Sequence, residues 1–272
     1  MVPIIGLSDQ THLTNFSGDK KALPVYRTIG NIRLWTRNSP AKMPNVLLAL
    51  LPVPTKFTGE SARASEAQRQ TNADTLQAVF DLLLAPLPPV AQEGTVMACP
   101  EGKTPLCFPM LSAWIVDHPQ HAALQGIGSK SCPKCEVPCK ELSGDPRRIY
   151  ETRDWRRYWD NALRHEPAEA AGIAEYFLRL GVKIGNNVFI GLDRVSPADQ
   201  HKPDLLPNIY FGLFKYMMEW VEGFLKKDKR SQGYDDAWKE IPSYSEFSVP
   251  QKPYREITPW QGKEMHNLGR CI

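Results

Sequence analysis

The sequence predicts an α/β protein in which a mixed β-sheet is followed by a helical region that carries a cysteine cluster. Three observations lead to this prediction. In the first half of the chain, short segments of β-forming residues surround one long helical segment. In the second half, apolar residues recur at helical spacing. Between the two halves, three cysteines lie within eight residues.

The predicted elements of the first half follow from local patterns. A segment without Gly or Pro, which ends before Pro86, predicts a long helix. The predicted strands are 2–7, 24–32 and 45–53, and the helix is 61–84. Segments 95–99 and 106–116 then predict a hairpin around Glu101 and Gly102. The resulting β-β-β-α-β order places Asp9 near the first strand and Asp117 directly after the fourth.

Three helices are predicted in the second half, over 167–180, 209–226 and 260–269. The first has Pro167 in its first turn and Gly181 just beyond its end, which is the usual asymmetry of helix termini. In 209–226 the charged residues form one narrow stripe and apolar residues fill the remaining surface. So wide an apolar face predicts that this helix is buried against other helices.

The composition restricts the class of protein. Hydrophobic residues make up 42% and charged residues 23% of the 272 residues, and a chain of this length can bury a substantial core. The 24 prolines among 272 residues are a larger share than the usual one of about 5%, which predicts many loops. A formal net charge of +3 excludes a histone-like polycation but permits a local basic patch.

No segment predicts a membrane span or a secretion signal. The longest apolar runs, such as 46–53, are far shorter than the ~18 residues needed to cross a bilayer. The first ten residues contain neither a basic region nor a long apolar stretch. We therefore expect a soluble intracellular protein, in which the six cysteines fit a metal site better than a disulfide framework.

The cysteine cluster predicts a structural zinc site. A C-x2-C turn formed by Cys132 and Cys135 places two thiolates on one side of a tight knuckle, at a spacing that suits tetrahedral zinc. Cys139 can supply a third ligand, and the ion would hold a loop that hydrophobic burial cannot hold. Candidates for a fourth ligand are His118, His121 and His201. The alternatives are three free thiols in a loop, or a redox pair.

Acidic residues form a second set of candidates. An Asp inside the first strand and another at the end of the fourth is the carboxylate arrangement of an RNase H-like sheet, where these strands are neighbours. Asp9 and Asp117 would then converge and could hold Mg²⁺. The alternative for each is a turn-forming or helix-capping Asp. Glu264, taken alone, is an ordinary solvated or capping residue of the last helix.

A basic and aromatic segment is the third candidate site. Its arginines alternate with Tyr150, Trp155, Tyr158 and Trp159. Such a segment can bind phosphates through arginine and stack on bases through its rings. The arginines are Arg147, Arg148, Arg153, Arg156 and Arg157. The alternative is a surface helix whose arginines pair with Glu151, Asp154 and Asp160.

Five blocks of the sequence, in order, resemble the Plavaka transposases of fungal DNA transposons, which are related to the CACTA group. Asp117-His118-Pro119-Gln120 is similar to the family's Asp-Tyr-Pro-Glu motif, and the cysteine cluster is similar to its cysteine knuckle. The other three blocks are Ser8–Ile32, with Asp9 in its opening, Pro203–Trp220, and Trp260–Arg270, which contains Glu264. The resemblance covers nearly the whole chain and implies a catalytic-core fragment.

The resemblance implies an RNase H-like nuclease core with the acidic triad Asp9, Asp117 and Glu264. Two Mg²⁺ or Mn²⁺ ions between the carboxylates would support cutting of transposon ends and joining to target DNA in the nucleus. The core would be divided into 1–127, an insertion over 128–250 that bears the zinc knuckle and helices, and a closing acidic helix over 251–272. Association between copies of the chain also belongs to this expectation.

One departure from the family pattern bears on activity. Where the family has Asp-x-x-His, Asp204 is followed three residues later by Pro207, which a helix tolerates only in its first turn. Two functions therefore stay open: a metal-dependent transposase core, or a truncated, inactive remnant that binds DNA or protein. A zinc-stabilised interaction module unrelated to transposition is a third hypothesis, which the ordered blocks disfavour.

Overall fold

The computed structural model of the chain forms two compact units, Met1–Lys202 and Pro203–Ile272. None of the helices described is long and apolar enough to cross a bilayer. The described residues are 1–13, 21–53, 61–99, 101–142, 144–145, 147–155, 167–183, 187–190, 192, 196–204, 206–244, 247, 252, 256–257 and 262–269.

The first unit is organised around a mixed sheet. The strands in chain order are β1 (Val2–Ser8), β2 (Thr11–His12), β3 (Lys21–Ile29), β4 (Val46–Pro52), β5 (Thr95–Val96), β6 (Leu106–Cys107), β7 (Pro109–Val116) and β8 (His201–Pro203). β5 and β6 form a small separate sheet, and the other six strands form the main one. Across the main sheet the order is β4–β3–β1–β7–β8, with β2 beside β3 beyond the end of β1.

The centre of the sheet is the pairing of β1 with β7. The two strands run parallel, with Ile4 opposite Leu111 and Leu7 opposite Ile115. β1 also runs antiparallel to β3, where Ser8 lies opposite Val25. The prediction that the first strand lies centrally and beside the strand ending at Val116 is confirmed.

The predicted hairpin over 95–116 is only partly right. β5 and β6 form it, but the chain then leaves the hairpin at Phe108, whose carbonyl accepts a hydrogen bond from the Val2 amide at 2.9 Å. Pro109 follows and starts β7. Because Pro109 has no N–H, it cannot extend the donor pattern of the hairpin ladder, so the segment changes sheets at this point.

The helices confirm most of the predicted segments. Ser61 caps the second helix by accepting a hydrogen bond from the Ala64 amide, and Gly181 has φ 66 after the fifth helix. In the first unit they are α1 (Leu34–Arg37), α2 (Ala62–Leu84), α3 (Leu87–Glu93), α4 (His118–Gln125), α5 (Pro167–Leu180) and α6 (Pro197–Gln200). Short 3-10 turns occur at Pro40–Lys42, Cys139–Glu141 and Val188–Ile190.

Three aromatic rings form the centre of the main core. Phe80 of α2, Trp114 of β7 and Phe189 contact one another, with ring centroids 5.2 to 5.9 Å apart. All three are almost completely buried, and they pack with Val25, Leu84, Leu111, Val116, Leu124 and Leu192. This cluster fixes α2 against one face of β1, β3 and β7. A second core cluster joins α4, α5 and α6 through Ala122, Ile127, Trp155, Phe177, Leu180 and Ala198.

The second unit is helical and differs from prediction in the packing of its longest helix. A π-helical segment, Leu206–Phe214, precedes α7 (Lys215–Lys227), and α8 (Ser231–Lys239) and α9 (Gly262–Gly269) follow. Phe214, Met218, Trp238 and Met265 form its core. The expected burial of the whole apolar face was wrong, since Leu213, Trp220 and Phe224 are more than half exposed. The described packing partners in this unit, α8 and α9, are too short to cover that face.

Gly6 makes the β1–β7 pairing possible. It lies opposite Trp114, and a Cβ atom built on Gly6 would overlap the six-membered ring of that indole. The ring is held by Phe80 and Phe189 and cannot move aside without loss of core packing. The glycine therefore allows an indole to lie directly over the central strand.

We expect Gly6→Ala to destabilise the protein by about 1–3 kcal/mol, the usual cost of overpacking a core. Gly172→Ala is the matched control, because Gly172 is exposed in α5 and a Cβ there meets nothing within 4 Å. The control should stabilise the helix by about 0.5–1 kcal/mol. Urea unfolding measures both, and a Gly6→Ala variant as stable as the parent would contradict the described packing.

Candidate active site

The first two candidate acids follow neighbouring strands at the same edge of the sheet. Because β1 and β7 are parallel, their carboxyl ends point in the same direction. The register pairs Leu7 with Ile115, and Asp9 and Asp117 follow these residues two positions later, just beyond the ends of the two strands. Crevices at the carboxyl ends of such strands are the usual ligand-binding place in α/β sheets.

Asp117 has a defined local role. It is the N-cap of α4, with φ −70° and ψ 165°, and its Oδ1 accepts a hydrogen bond from the Gln120 amide at 2.9 Å. Pro119 lies in the first turn of α4, where a missing N–H costs nothing. The capping alternative weighed from sequence is therefore real, and it leaves the second carboxylate oxygen without a hydrogen-bond partner among the described residues.

Asp9 is exposed and lies in the two-residue break between β1 and β2. Its neighbour Ser8 is buried, and the Ser8 Oγ accepts hydrogen bonds from Trp114 Nε1 at 2.9 Å and Gln120 Nε2 at 2.7 Å. Sequence reasoning missed Ser8 and Gln120. A sequence signal existed for Gln120, because a Gln three residues after an N-cap is typical of a capping box.

Glu264 lies in the other compact unit. It occupies the first turn of α9 and is half-buried, in the same helix as the buried Met265. Tyr210 packs edge-on against His266 of this helix, with ring centroids 5.2 Å apart. The predicted closing helix therefore exists, from Gly262 to Gly269, and Glu264 stays a predicted third ligand.

The cysteine knuckle brings together two of the three predicted zinc ligands. The sulfurs of Cys132 and Cys135 are 3.3 Å apart, and the Lys134 amide donates to the Cys132 sulfur at 3.4 Å. Two thiolates on one tetrahedral zinc ion, at about 2.3 Å each, would lie about 3.8 Å apart. Cys139 instead has its sulfur 3.2 Å from the Ser131 Oγ.

The predicted three-cysteine cluster is not assembled. Within the described part of the chain, no group of three or more His, Cys, Asp or Glu side chains is placed to hold a metal ion. Burial raises the pKa of the Cys135 thiol, which favours the protonated form when no metal is bound. The knuckle is therefore a close cysteine pair with a nearby third thiol.

Arg153 is a structural residue of this knuckle, which corrects its assignment to nucleic-acid binding. Its side chain is 1% exposed, and the guanidinium donates to the Cys132 carbonyl at 2.7 Å and to the Leu180 carbonyl at 2.8 Å. It thus ties the knuckle to the end of α5. Trp155, also buried, belongs to the second core cluster and does not present a stacking surface.

Two of the other predicted arginines are exposed and paired with acids. Arg147 contacts Asp145 at 3.0 Å, and Arg148 contacts Glu141 at 2.8 Å and lies over the Tyr150 ring. Solvent-exposed pairs of this kind are worth little free energy and can exchange for phosphate. Arg156 and Arg157 lie outside the described residues.

Each of the three histidines proposed as a fourth zinc ligand has a hydrogen-bond partner outside the cysteine knuckle. His121 and His201 are buried with ring centroids 4.9 Å apart, and Gln125 Nε2 lies 3.0 Å from His121 Nε2. Burial lowers the pKa of His121 to about 3 and that of His201 to about 4, so both rings are neutral near pH 7. His118 has its Nε2 3.1 Å from the Ser129 carbonyl.

Comparison with protein families identifies the chain. The family model described as Plavaka transposase matches residues 1–221. This chain belongs to the Plavaka transposase family. Neither the curated proteins nor the solved structures gave a match.

The family match confirms the resemblance seen in the sequence. Membership in the Plavaka family implies DNA transposition by descent. The matched region contains Asp9 and Asp117, the cysteine knuckle and the arginine segment. Glu264 lies beyond it. The two carboxylates that follow β1 and β7 are therefore the part of the candidate active site that both the family match and the sheet geometry address.

Proposed function

We propose that this chain is the catalytic core of a transposase that cleaves and joins DNA strands with divalent metal ions. The observation that supports the proposal is the parallel β1–β7 pair, because Asp9 and Asp117 directly follow these two neighbouring strands. An RNase H-like core requires these two strands to be neighbours and to end in carboxylates. Family membership supplies the reaction class.

The donor set at this edge fits Mg²⁺ or Mn²⁺. Carboxylate oxygens are the ligands these ions prefer, and Mg²⁺ is usually held by one or two carboxylates while it keeps several waters. Asp117 has one oxygen committed to the α4 cap and the other directed away from that bond. Asp9 and Asp117 would hold the ion, and Glu264 stays the third acid that the family resemblance implies.

Metal ions bound there would lower the pKa of the attacking water or DNA hydroxyl and neutralise charge on the leaving oxygen. Residues of the chain itself position the two carboxylates. The N-cap bond orients the Asp117 carboxylate, and the bond from Trp114 to the buried Ser8 anchors the residue before Asp9. The helix dipole of α4 also favours negative charge at its first turn, where Asp117 lies.

DNA would be held by arginines of the basic and aromatic segment. Arg147 and Arg148, with Arg156 and Arg157, are proposed to contact the phosphate backbone, and Arg153 is left out because it is buried. Their ion pairs with Asp145 and Glu141 would open when DNA phosphates replace the carboxylates. Because the protein would act on chromosomal DNA, we expect it in the nucleus. Because a transposon has two ends, we expect more than one copy of the chain to act together.

The cysteine knuckle is proposed to take a structural zinc ion, with Cys132 and Cys135 as the first two ligands and Cys139 as the third. The sulfur pair supports this, because it needs to open by only about half an ångström to reach the spacing on zinc. Movement of Cys139 from Ser131 would complete three thiolates. The backbone bridge between Cys135 and Thr152 would hold the loop in either state.

The test of the proposed function uses Asp117→Asn. Asn is as good an N-cap as Asp, so α4 stays capped while the metal-binding charge is lost. We expect Mg²⁺-dependent cleavage or strand transfer of DNA to fall by about 100-fold or more. Asp81→Asn, an exposed change on α2, is the control and should retain full activity.

If the parent protein, in Mg²⁺ and in Mn²⁺, shows no cleavage or strand transfer above the level of Asp117→Asn, the catalytic proposal fails. DNA binding without cleavage would then favour the inactive remnant, to which Pro207 at the Asp-x-x-His position also points.

The arginine proposal makes a separate prediction. DNA affinity should fall steeply with salt because bound phosphates release counterions. Arg147→Ala together with Arg148→Ala should flatten the slope of log affinity against log salt by about one unit for each lost phosphate contact. Arg33→Ala, an exposed arginine outside the segment, should leave the slope unchanged. Fluorescence anisotropy with labelled DNA measures it, and an unaltered slope in the double variant would restrict these arginines to their ion pairs.

A further inference from the structure

The buried Ser8 side chain and its hydrogen-bond partners connect the ends of the two strands that the acids follow. Ser8, at the end of β1, is 3% exposed, and Trp114 of β7 is 1% exposed. Trp114 Nε1 and Gln120 Nε2 both lie within hydrogen-bond distance of the Ser8 Oγ, at 2.9 and 2.7 Å. An indole N–H and an amide NH₂ are donors only, so the Ser8 oxygen accepts both bonds.

Gln120 contacts both halves of the acidic edge. Its backbone N–H donates to the Asp117 carboxylate, and its side chain donates to the residue before Asp9. In a capping box, the Gln at this helix position usually folds back to the N-cap residue's own N–H. Here the side chain crosses to the neighbouring strand instead, so a local helix cap has become a link between β1 and α4.

The link constrains the spacing of the two carboxylates. β1 and β7 are already held in register by their ladder, but Asp9 and Asp117 lie just beyond the ends of the strands, where the ladder no longer holds them. The Ser8–Gln120 bond acts at this point. It joins the first turn of α4 directly to the residue before the break.

We propose that Ser8 and Gln120 are positioning residues that set the distance between the Asp9 and Asp117 carboxylates for a divalent ion. The inference rests on the proposed function of those two acids. Residues that orient metal ligands typically change metal affinity by 10–100-fold when they are replaced. The two residues should act as one unit, because the link between β1 and α4 is the hydrogen bond between their side chains.

The experiment measures Mn²⁺ binding to the whole chain by titration calorimetry, with urea unfolding on the same samples. Ser8→Ala and Gln120→Met should each weaken Mn²⁺ binding by about 10-fold or more. The double variant should bind Mn²⁺ as tightly as the single variant that binds it more weakly. Gln120→Glu should retain the Mn²⁺ binding of the parent chain, because the Ser8 hydroxyl can donate to a carboxylate while it still accepts from Trp114.

Gln77→Met is the matched control for a loss of stability alone. Gln77 is also a buried glutamine that contacts α4, through its Nε2 to the Leu124 carbonyl at 2.9 Å, but it lies at the other end of that helix. We expect Gln77→Met to lower the free energy of unfolding and to leave Mn²⁺ affinity unchanged.

The outcomes separate this inference from the function it rests on. If Asp117→Asn abolishes Mn²⁺ binding while Ser8→Ala and Gln120→Met bind as the parent does, the positioning role is wrong and the metal site stands. If Gln77→Met weakens binding as much as Gln120→Met, the effect is one of stability and the inference is overturned. If the parent chain binds no Mn²⁺, both the site and its positioning residues are refuted.

Discussion

The parallel pairing of β1 with β7 is the contact on which the rest of the first unit depends. It requires Gly6, because Trp114 lies directly over that position, and the indole in turn contacts Phe80 and Phe189. The same indole donates its N–H to Ser8. One side chain therefore joins the sheet register, the main core and the acidic edge, so that core packing and the placement of the candidate ligands are not independent.

The cysteine knuckle depends on a different set of contacts. Arg153 is buried between the knuckle and the end of α5, where its guanidinium donates to two backbone carbonyls. Backbone bonds from residues 151–153 to residues 134–136 complete the support. A loop held in this way can present a cysteine pair without a bound ion. Zinc would further stabilise a loop conformation that the protein's own contacts already favour.

Much of the fold could be predicted from the sequence, and the errors have physical causes. Alternating and helical patterns located β1, β4, α2 and α5 to within a few residues, and the order of strands and acids anticipated the β1–β7 neighbours. The segment 106–116 was wrongly assigned to one strand. Pro109 starts a new strand because the Phe108 carbonyl accepts from the distant Val2 amide, and the local sequence does not show that bond. Arg153 looked like its exposed neighbours, since no local pattern reveals that two distant carbonyls will surround it. Ser8 and Gln120 were missed for the same reason, as their bond spans 112 positions of the chain.

The central claim is that Asp9 and Asp117 hold a divalent ion together at the carboxyl edge of the sheet. The most direct measurement is anomalous diffraction from crystals of the chain grown with Mn²⁺. The account predicts an anomalous peak within about 2.0–2.4 Å of a carboxylate oxygen of Asp9 and of Asp117. A fully occupied peak elsewhere, or no peak between these two side chains at saturating Mn²⁺, would contradict it.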